Sequence, residues 1–416
     1  MEVRPGYRQT EVGVIPEDWE VRTVGEIAEV KTGPFGSALH ERDYVEEGTP
    51  IITVEHLGEH GVLHSQLPQV SDADAVRLRA YGLRQGDIVF SRVGSVDRNA
   101  LIRGAEEGWL FSGRLLRVRP VQELVHAPYL SYHFHSEAFR QRVRDVAVGQ
   151  TMASINTRIL TGVKAVLPRR RAEQEAIAEV LGDADAFIQS AEQLLGKKRR
   201  LKQGAMQELL TGRSRLSGFR GEWELARLGD SASFSKGRGL PKSALDPFGG
   251  RPCIHYGELF TQYPAVICEI MSRTDSCGDS PCSVANDVLM PTSDVTPNGL
   301  ATASCVRTGG VILGGDILVI RIDPGRVLGP FLSYAIRRAR AQILQLVTGI
   351  TVFHLYAKDM QEFVFPMPSM AEQAAIVTVL EDMDAEIAGL EAKLAKTRRL
   401  KQGMMQELLS GRTQLT

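Results

Sequence analysis

The sequence predicts an α/β (α+β) chain in which two diverged globular domains are joined by two long helices that form an antiparallel intramolecular coiled coil with pseudo-two-fold symmetry. Three observations predict this fold: a long internal repeat, a heptad pattern inside it, and short β-branched runs outside it. Residues 172–213 recur at 371–412 with a constant offset of 199, no gap and 27 of 42 positions identical. Two such copies indicate two modules, each a variable globular part followed by a shared helical part.

This layout predicts four regions along the 416 residues. A first globular domain covers 1–168 and is followed by a helical region at 169–213. A second globular domain covers 214–367 and is followed by a second helical region at 368–416. Two domains of ordinary size are the default for this length, and each is long enough to build its own core.

Both helical regions carry an a/d heptad seam that is sustained for nearly three heptads. The main seam residues are Ile177, Leu181, Ile188 and Leu195 in the first copy and Ile376, Leu380, Ile387 and Leu394 in the second. A helix with one apolar stripe has to bury it, and the only matching stripe is the other copy, so we expect the two helices to pair. A two-fold relation between the modules requires that they run antiparallel.

Glycines occupy equivalent positions in the two helical regions. Gly212 and Gly411 are predicted to close the helices at the C′ position, where glycine adopts the left-handed conformation most easily. Gly204 and Gly403 lie inside the helices, where each costs about 1 kcal/mol of helix propensity. Their equivalent placement suggests close backbone packing or a kink.

The two globular parts are diverged but related. Trp19 matches Trp223 within similar phrases, and PYLSYHF at 128–134 aligns with PFLSYAI at 330–336. Short β-branched runs predict strands at Ile88–Phe90, Leu115–Val118, Val311–Leu313 and Ile317–Ile322, and helices are expected at Pro128–Val146 and Pro330–Val347. We therefore expect a mostly antiparallel or mixed sheet in each module.

Composition narrows the class of protein without identifying it. The formal net charge of −1 argues against simple nonspecific binding of polyanions. No run approaches the roughly 18 apolar residues that span a bilayer, and the N-terminus lacks the apolar core of a signal peptide. We expect a cytoplasmic protein that does not contact a membrane. The five cysteines do not match zinc-ligand spacing, so no metal site is expected from them.

Catalytic patterns are missing from the sequence. It contains neither a GxxxxGK[ST] phosphate loop nor an Asn/Asp-Pro-Pro-aromatic adenine-methyltransferase motif. His56, His60 and His64 are spaced four residues apart and could bind zinc on a helix, but Gly58 and Gly61 interrupt the stretch. A chain of this size without a catalytic constellation is more typical of a binding protein.

Loops rich in Arg, Lys, Asn, Gln, Ser and Thr occur at matching positions of both modules, and these are the side chains that hydrogen-bond base edges and phosphates. The candidate DNA-contacting residues of the first module are Lys31, Ser37, Ser91, Arg92, Arg98, Asn99, Gln150 and Thr151. Those of the second module are Lys236, Arg238, Thr292, Ser293, Asn298 and Thr351.

Three segments carry a family resemblance. The first two are YRQTEVGVIPEDWEVRTVGEI and GFRGEWELARLGD, and the third is the duplicated AEQxAI…KxRRLKQGxMQELL(T/S)GR. They resemble parts of the specificity (S) subunit of type I restriction-modification systems. The first two are similar to the starts of its two domains, respectively, and the third is similar to its conserved helical regions. The resemblance implies two target recognition domains, each reading one half of a bipartite asymmetric site in double-stranded DNA. It also implies that the coiled coil sets the spacing of the half-sites.

The same resemblance implies partners. The coiled coil would dock two methyltransferase (M) subunits, and two translocase-nuclease (R) subunits would join them for restriction. S-adenosylmethionine, ATP and magnesium would belong to those partners, and this chain would be a non-catalytic subunit.

Two alternatives stay open on the sequence. The first is a coiled-coil scaffold with two domains that bind protein and not DNA, which the near-neutral charge favours mildly. The second is an enzyme with an unrecognised active site, such as a zinc site at His56, His60 and His64. The recognised bases, the length of the spacer between half-sites and the presence of restriction do not follow from the sequence.

Overall fold

The computed structural model describes residues 4–35, 38–58, 61–149, 152–275 and 280–415, and the contacts divide the chain into two compact units. Unit 1 consists of Met1–Glu192 and Lys393–Thr416, and unit 2 consists of Gln193–Ala392. Each unit therefore combines one globular part with one end of each long helix. The four-region division of the sequence stays a proposal, because the contact-based division cuts through both helices.

The globular part of unit 1 contains short strands and five short helices. Its strands are β1 (Tyr7–Thr10), β2 (Gly13–Pro16), β3 (Trp19–Thr23), β4 (Ala28–Thr32), β5 (Tyr44–Val45), β6 (Thr49–Ile52), β7 (Leu57–Gly58), β8 (Gly61–Val62), β9 (Gln69–Val70), β10 (Ile88–Ser91), β11 (Asn99–Leu101), β12 (Leu110–Phe111), β13 (Leu115–Pro120) and β14 (Lys164–Pro168). Its helices are α1 (Val24–Ile27), α2 (Asp72–Arg77), α3 (Ala127–His135), α4 (Glu137–Val146) and α5 (Thr157–Gly162). The first long helix, α6 (Arg171–Leu209), starts three residues after β14.

The main sheet of unit 1 is antiparallel, with the strand order β11-β10-β13-β4. A second, mixed sheet has the order β12-β6-β9-β5, in which β12 and β6 are parallel. The main sheet packs on α3 and α4 through a core that includes Phe90 and the stacked pair Phe134 and Phe139, whose ring centroids lie 4.5 Å apart.

Unit 2 repeats this plan with different lengths. Its strands are β15 (Glu224–Arg227), β16 (Ala232–Lys236), β17 (Arg251–Ile254), β18 (Val266–Ile267), β19 (Ser272–Thr274), β20 (Asp287–Pro291), β21 (Ser293–Asp294), β22 (Ser304–Val306), β23 (Ile312–Leu313), β24 (Ile317–Ile322), β25 (Phe353–His354) and β26 (Val364–Met367). Its helices are α7 (Glu258–Thr261), α8 (Gly329–Arg338), α9 (Arg340–Leu346) and α10 (Ala357–Met360), followed by the second long helix, α11 (Met370–Leu408). The main sheet has the order β16-β24-β20-β22-β18, with only β22 and β18 parallel among these described strands. The expected antiparallel or mixed sheets are confirmed in both units.

Two predicted helices are each broken into two. In unit 1 the break is at Ser136, which is extended and whose hydroxyl accepts a hydrogen bond from the N–H of Phe139. In unit 2 the break is at Ala339, between α8 and α9. Ser136 caps a new helix because its side chain competes for the backbone hydrogen bonds, an effect that apolar periodicity does not reveal.

The matched tryptophans make the same contact in the two units. In unit 1 the indole N–H of Trp19 donates to Glu173 in the first turn of α6, at 3.2 Å. In unit 2 the indole N–H of Trp223 donates to Glu372 in the first turn of α11, also at 3.2 Å. Each globular part is thus anchored to the start of the long helix that follows it in sequence.

The long helices run antiparallel within each unit. In unit 1 Lys401 pairs with Asp185 at 2.5 Å, and Arg398 pairs with Glu192, so later residues of α6 meet earlier residues of α11. In unit 2 Lys202 pairs with Asp384 and Lys198 with Glu386, which gives the same direction. The expected antiparallel pairing therefore holds in both units.

The heptad seams pack partly against the globular cores. Ile177 and Leu181 are fully buried in the core of unit 1, together with Leu408 and Leu409 from the end of α11. Ile376 and Leu380 are equivalent in the core of unit 2, where they meet Leu209 and Leu210. Of the remaining seam residues, Ile188, Leu195 and Leu394 are buried and Ile387 is half-buried. Each seam therefore serves both the partner helix and the globular part of its own module.

The helix glycines differ from expectation. A Cβ atom built on Gly204 or Gly403 meets no atom within 4 Å, and both helices continue through these positions, so close backbone packing is not their role in this chain. Gly212 and Gly411 have φ of +70° and +71°, but they lie three residues beyond the last helical residues, Leu209 and Leu408. A Cβ on Gly411 would lie 2.5 Å from Cγ of Pro16, so this glycine is required by packing as well as by conformation.

Alanine substitutions at these glycines should have opposite effects. Gly204→Ala should raise the free energy of unfolding by about 1 kcal/mol, because it improves helix propensity at an open position. Gly411→Ala should lower it by at least about 1 kcal/mol, because alanine resists the left-handed conformation and would collide with Pro16. Urea unfolding of the two variants and the unchanged chain measures both effects. A destabilising Gly204→Ala would contradict the open environment of that residue.

A buried histidine should make stability depend on pH. His133 is 2% exposed and accepts a hydrogen bond at Nε2 from the N–H of Val166. Burial, and secondarily the charge of Arg142, lowers the pKa of His133 to about 3. The unfolded chain binds this proton near pH 6.5 and the folded chain does not, so stability should fall as the pH decreases below about 6.5.

The expected slope from this group is about 1.4 kcal/mol per pH unit between about pH 6 and pH 4. Chemical unfolding at a series of pH values measures it. The control is His133→Phe, which keeps an aromatic ring and removes the titration. The free energy of unfolding should fall less steeply with decreasing pH in this variant than in the unchanged chain. Equal slopes in the two proteins would contradict the prediction.

Candidate nucleic-acid interface

Loops of unit 1 meet at one end of its main sheet. This unit 1 tip comprises residues 33–35, 92–98, 112–114, 148–149 and 152–156. The N–H of Gly94 donates to the carbonyl of Ala153 at 2.8 Å, and the N–H of Ile155 donates to the carbonyl of Arg92 at 2.9 Å. The hydroxyls of Thr32 and Thr157 lie 3.0 Å apart and join the end of β4 to the start of α5. Segments distant in sequence therefore form one continuous surface.

An arginine stacked on an aromatic ring stands at the centre of the unit 1 tip. The guanidinium carbon of Arg92 lies 6.0 Å from the ring centroid of Phe35, and its Nη1 donates to the carbonyl of Gly113 at 3.3 Å. Phe35 is 67% exposed, and Arg114 beside them is also exposed. These contacts hold the guanidinium plane while part of it still faces solvent.

Equivalent loops meet in unit 2. This unit 2 tip comprises residues 235–239, 291–299, 313–316 and 348–355. The N–H of Leu355 donates to the carbonyl of Thr292 at 3.0 Å, and the N–H of Thr292 donates to the carbonyl of Asp316 at 2.9 Å. Ser293 pairs with His354 in the short ladder of β21 and β25. Lys236 lies 3.3 Å from the carboxylate of Asp316.

The two tips share one backbone design. The bond from Ile155 to Arg92 in unit 1 corresponds to the bond from Leu355 to Thr292 in unit 2. Gly149 and Gly349 have φ of +119° and +122°, and a Cβ on either would lie within 2.4 Å of the carbonyl oxygen three residues ahead. Because both turns require glycine, the equivalent loops have the same local shape but present different side chains, such as Arg92 and Thr292.

The candidate residues fall into groups in the structure. Arg92, Lys236 and Ser293 line the tips, and Arg238, Asn298 and Thr351 are exposed in them. Thr292 is only 8% exposed, and its hydroxyl donates to the carboxylate of Asp316 at 3.4 Å. Ser37, Gln150 and Thr151 lie outside the described residues.

Other candidates are buried or have a partner within unit 1. Ser91 and Asn99 are at most 1% exposed, which argues against direct contact with DNA. Arg98 donates to the carbonyl of Leu57, and Lys31 donates to the carbonyl of Ala80 at 2.9 Å. β-Strand residues next to a tip were selected on side-chain chemistry, but the alternation of the strand turns half of them into the core.

Apolar residues at the tips were missed by the sequence reasoning. Phe35 and Met152 in unit 1, and Val295 and Ile350 in unit 2, are each more than 60% exposed. Their position inside glycine-rich polar loops is a usable signal, because an apolar side chain in such a loop has little chance of reaching a core.

The histidines of the zinc alternative have other contacts. Nδ1 of His56 accepts from the N–H of Thr53 at 3.2 Å, and Nε2 of His64 lies 2.6 Å from Glu106. His60 lies outside the described residues. Within the described ranges, no cluster of three His, Cys, Asp or Glu residues could hold a metal ion. None of the helices described is both long and apolar enough to cross a membrane.

Two tips with one backbone design and different side chains are typical of a protein with two related binding surfaces. Residues 16–197 match the family described as "Type I restriction modification DNA specificity domain". The chain is 26% identical over 423 residues to a protein of Methanocaldococcus jannaschii named as the type I restriction enzyme MjaX specificity subunit, with 98% of this chain and 96% of that protein covered. It is 24% identical over 214 residues to the MjaVIII specificity subunit of the same organism, covering 50% and 49%.

Solved structures share the fold. The type I S subunit from M. genitalium superposes with a TM-score of 0.63 at 13% identity, covering 98% of both chains. A chain from a structural study of complex assembly in a type I system gives a TM-score of 0.53 at 15% identity, covering 95% of this chain and 99% of that one. Residues 16–197 thus resemble a type I DNA specificity domain, and the chain is similar over nearly its whole length to a type I specificity subunit.

Proposed function

We propose that each unit reads one half of a bipartite asymmetric DNA site through its tip. The observation that carries this proposal is the shared backbone of the two tips, with Arg92 in one where Thr292 stands in the other. A common scaffold with exchanged side chains suits two readers that approach DNA in the same way and select different bases.

The side chains support different base preferences. An arginine positioned over the ring of Phe35 and bonded to the carbonyl of Gly113 can donate two hydrogen bonds to the O6 and N7 atoms of guanine. The unit 2 tip instead offers the hydroxyl of Ser293 and the carboxylate of Asp294, which can accept from the amino group of cytosine. The exposed Phe35 and Ile350 can contact thymine methyl groups.

The long helices are proposed to set the distance between half-sites and to dock two methyltransferase subunits. Leu201 is 50% exposed on α6 and Leu400 is 62% exposed on α11, at the repeat offset of 199 residues. Gly204 and Gly403 lie one turn further along and leave open space beside these leucines. An apolar patch that occurs once on each helix is suited to two copies of one partner.

Partners would supply the functions that this chain lacks. With a net charge of −1, the chain is poorly equipped to neutralise phosphates by itself, and the methyltransferase subunits are proposed to contribute that charge. S-adenosylmethionine would bind to those subunits. Two translocase-nuclease subunits, with ATP and magnesium, would join for restriction in the cytoplasm.

Methylation mapping tests the proposal. Sequencing the methylated bases of a host that expresses this chain with its methyltransferase should show one split motif. Exchange of residues 19–168 for the corresponding part of another specificity subunit should change one half of the motif only. The scaffold alternative requires instead that the complex shows no sequence-dependent, salt-sensitive binding to DNA.

A point substitution sharpens the test. Arg92→Ala should relax selection at one position of one half-site, with a loss of about 1–3 kcal/mol of discrimination there. Ser293→Ala changes a hydroxyl of the other tip and should affect the other half-site. If both variants alter the same half, the assignment of one tip to each half is incorrect.

A further inference from the structure

Unit 1 contains a large cationic cleft away from its tip. The cleft has a volume of 1710 Å³ and lies between α3, α4 and the unit 1 ends of α6 and α11. Its described lining includes eight arginines and one lysine but only three carboxylates. Arg171, Arg398, Lys401 and Arg412 are paired with carboxylates, and the lining still carries an excess of positive charge.

Several of these cations lack an anionic partner. Nη2 of Arg142 and Nε of Arg140 are buried without a hydrogen-bond partner among the described residues. Arg399 is exposed in the wall of the cleft, and within the described part of the chain no ion pair to it is found. Buried guanidinium groups without partners are costly, and an incoming carboxylate would satisfy them.

The cleft is at the wrong end of the sheet to be part of the DNA-reading surface. Arg84 to Gly86 line the cleft and precede β10, whereas Arg92 at the tip follows β10. The four residues of this strand separate the two sites by about 13 Å. The lining also contains apolar side chains such as Val14, Met405 and Leu409, which a phosphate backbone would not need.

The size of the cleft indicates a macromolecular ligand. Small-molecule sites usually have volumes of about 300–1,000 Å³. A cleft of 1710 Å³ with mixed cationic and apolar walls fits an amphipathic segment of polypeptide better than a nucleotide.

The pocket beside α8 of unit 2 is smaller than the unit 1 cleft. The corresponding space beside α8, within the described residues, is a pocket of 300 Å³. Arg337 occupies it, because its guanidinium donates to the carbonyl of Ala303 and, at 3.0 Å, to the hydroxyl of Ser304. Gln342 is the unit 2 equivalent of Arg142, because each lies seven residues before one of the matching glycines, Gly349 and Gly149. The pocket beside α8 is therefore smaller than the unit 1 cleft, and unit 2 has Gln342 where unit 1 has Arg142, whereas the exposed leucines of the long helices occur in both repeats.

We propose that the unit 1 cleft binds one acidic, amphipathic segment of a partner protein in the assembled complex. The inference rests on the proposed function in one respect: the partner is assumed to be a subunit of the restriction-modification complex. It goes beyond the two equivalent docking patches, because it assigns this chain a third protein-binding site of unequal stoichiometry. A partner held there would distinguish the two halves of an otherwise pseudo-symmetric assembly.

Photo-crosslinking in the reconstituted complex of this chain, its methyltransferase and translocase-nuclease subunits and DNA tests the inference. A benzoylphenylalanine replaces Gln402, which lines the cleft, and in a matched control it replaces Gln203, the repeat-equivalent residue on α6. We expect Gln402 variants to crosslink to a segment of a partner subunit rich in Asp and Glu, at one copy per chain, and Gln203 variants not to do so. Crosslinking to DNA, equal crosslinking from both positions, or none would overturn the proposal.

Charge reversal provides a second readout. The double variant Arg140→Glu and Arg399→Glu should weaken the crosslinked complex by about tenfold or more, because two charge-assisted contacts are lost. The controls Arg340→Glu and Arg200→Glu change the equivalent residues of unit 2 and should have little effect. The exposed Arg399→Glu alone keeps the test informative if the double variant does not fold.

Methylation mapping of the same variants separates the two hypotheses. If the complex methylates a split motif but the benzoylphenylalanine at position 402 forms no crosslink in a cleft with its arginines unchanged, only this inference is contradicted. Absence of any motif in the unchanged complex contradicts the proposed function.

Discussion

Insertion of seven residues after Glu192 in α6, together with seven after Ala392 in α11, is expected to lengthen the spacer between the two recognised half-sites. These points coincide with the boundaries between the two units, so the contacts within each unit stay intact. A heptad adds about 10 Å to a helix and returns the helix to nearly the same rotational phase. At 3.4 Å per base pair, the spacer should grow by about three base pairs while both half-sites stay the same.

Methylation mapping of the host measures this result. Three base pairs turn the duplex by roughly 100°, which the inserted heptads do not follow, so we also expect less efficient methylation. The control inserts seven residues in α6 only, which shifts the antiparallel pairs out of register and should abolish methylation. An unchanged spacer in the doubly extended chain would contradict the role of the helices in setting the distance.

Asp185→Ala is expected to cost about 3 kcal/mol of folding stability. Asp185 accepts from the hydroxyl of Tyr132 at 2.8 Å and pairs with Lys401, and each partner of this ion pair is only 13% exposed. Removal of the carboxylate leaves a largely desolvated ammonium group without its counter-charge. The same contact joins α3 of the recognition domain to both long helices, so its loss should also loosen the domain on the helices.

Urea unfolding measures the loss, and the chain provides matched controls. Asp384→Ala removes the equivalent carboxylate of unit 2, which binds Tyr334 and Lys202 but is 27% exposed, so a smaller cost is expected. The double variant Asp185→Ala and Lys401→Met should recover part of the stability, because the unpaired charge is gone. The prediction fails if Asp185→Ala costs no more than alanine at the exposed Glu179 on the same helix.

Much of the fold could be predicted from local patterns. The β-branched runs at Ile88–Phe90 and Ile317–Ile322 are strands, and the heptad spacing marks two helices of 39 residues each. These elements depend on side-chain periodicity, which is directly visible in the sequence. The break at Ser136 was not predicted, because a single capping hydroxyl outweighs the propensity of a longer segment.

The interface was predicted less well than the fold. The loops that meet at each tip were identified by their matching positions in the two modules, and Arg92 and Thr292 lie in them. Asn99 shows why the chemistry of a side chain is insufficient, since its strand register turns the amide into the interior. The cationic cleft depends on residues from distant segments, such as Arg140 and Arg399, whose proximity no local pattern reveals.

The sequence by itself determined that this protein is a duplication with two shared helices and two diverged domains, because identity at a constant offset and heptad periodicity are local properties. It also determined where the modules differ, since divergence is visible residue by residue. Only the tertiary structure decided that the heptad seams also serve the globular cores, that the two tips share one backbone, and that unit 1 carries a cationic cleft. These features arise from contacts between residues as many as 400 positions apart, whose energies depend on packing and burial and not on neighbouring sequence.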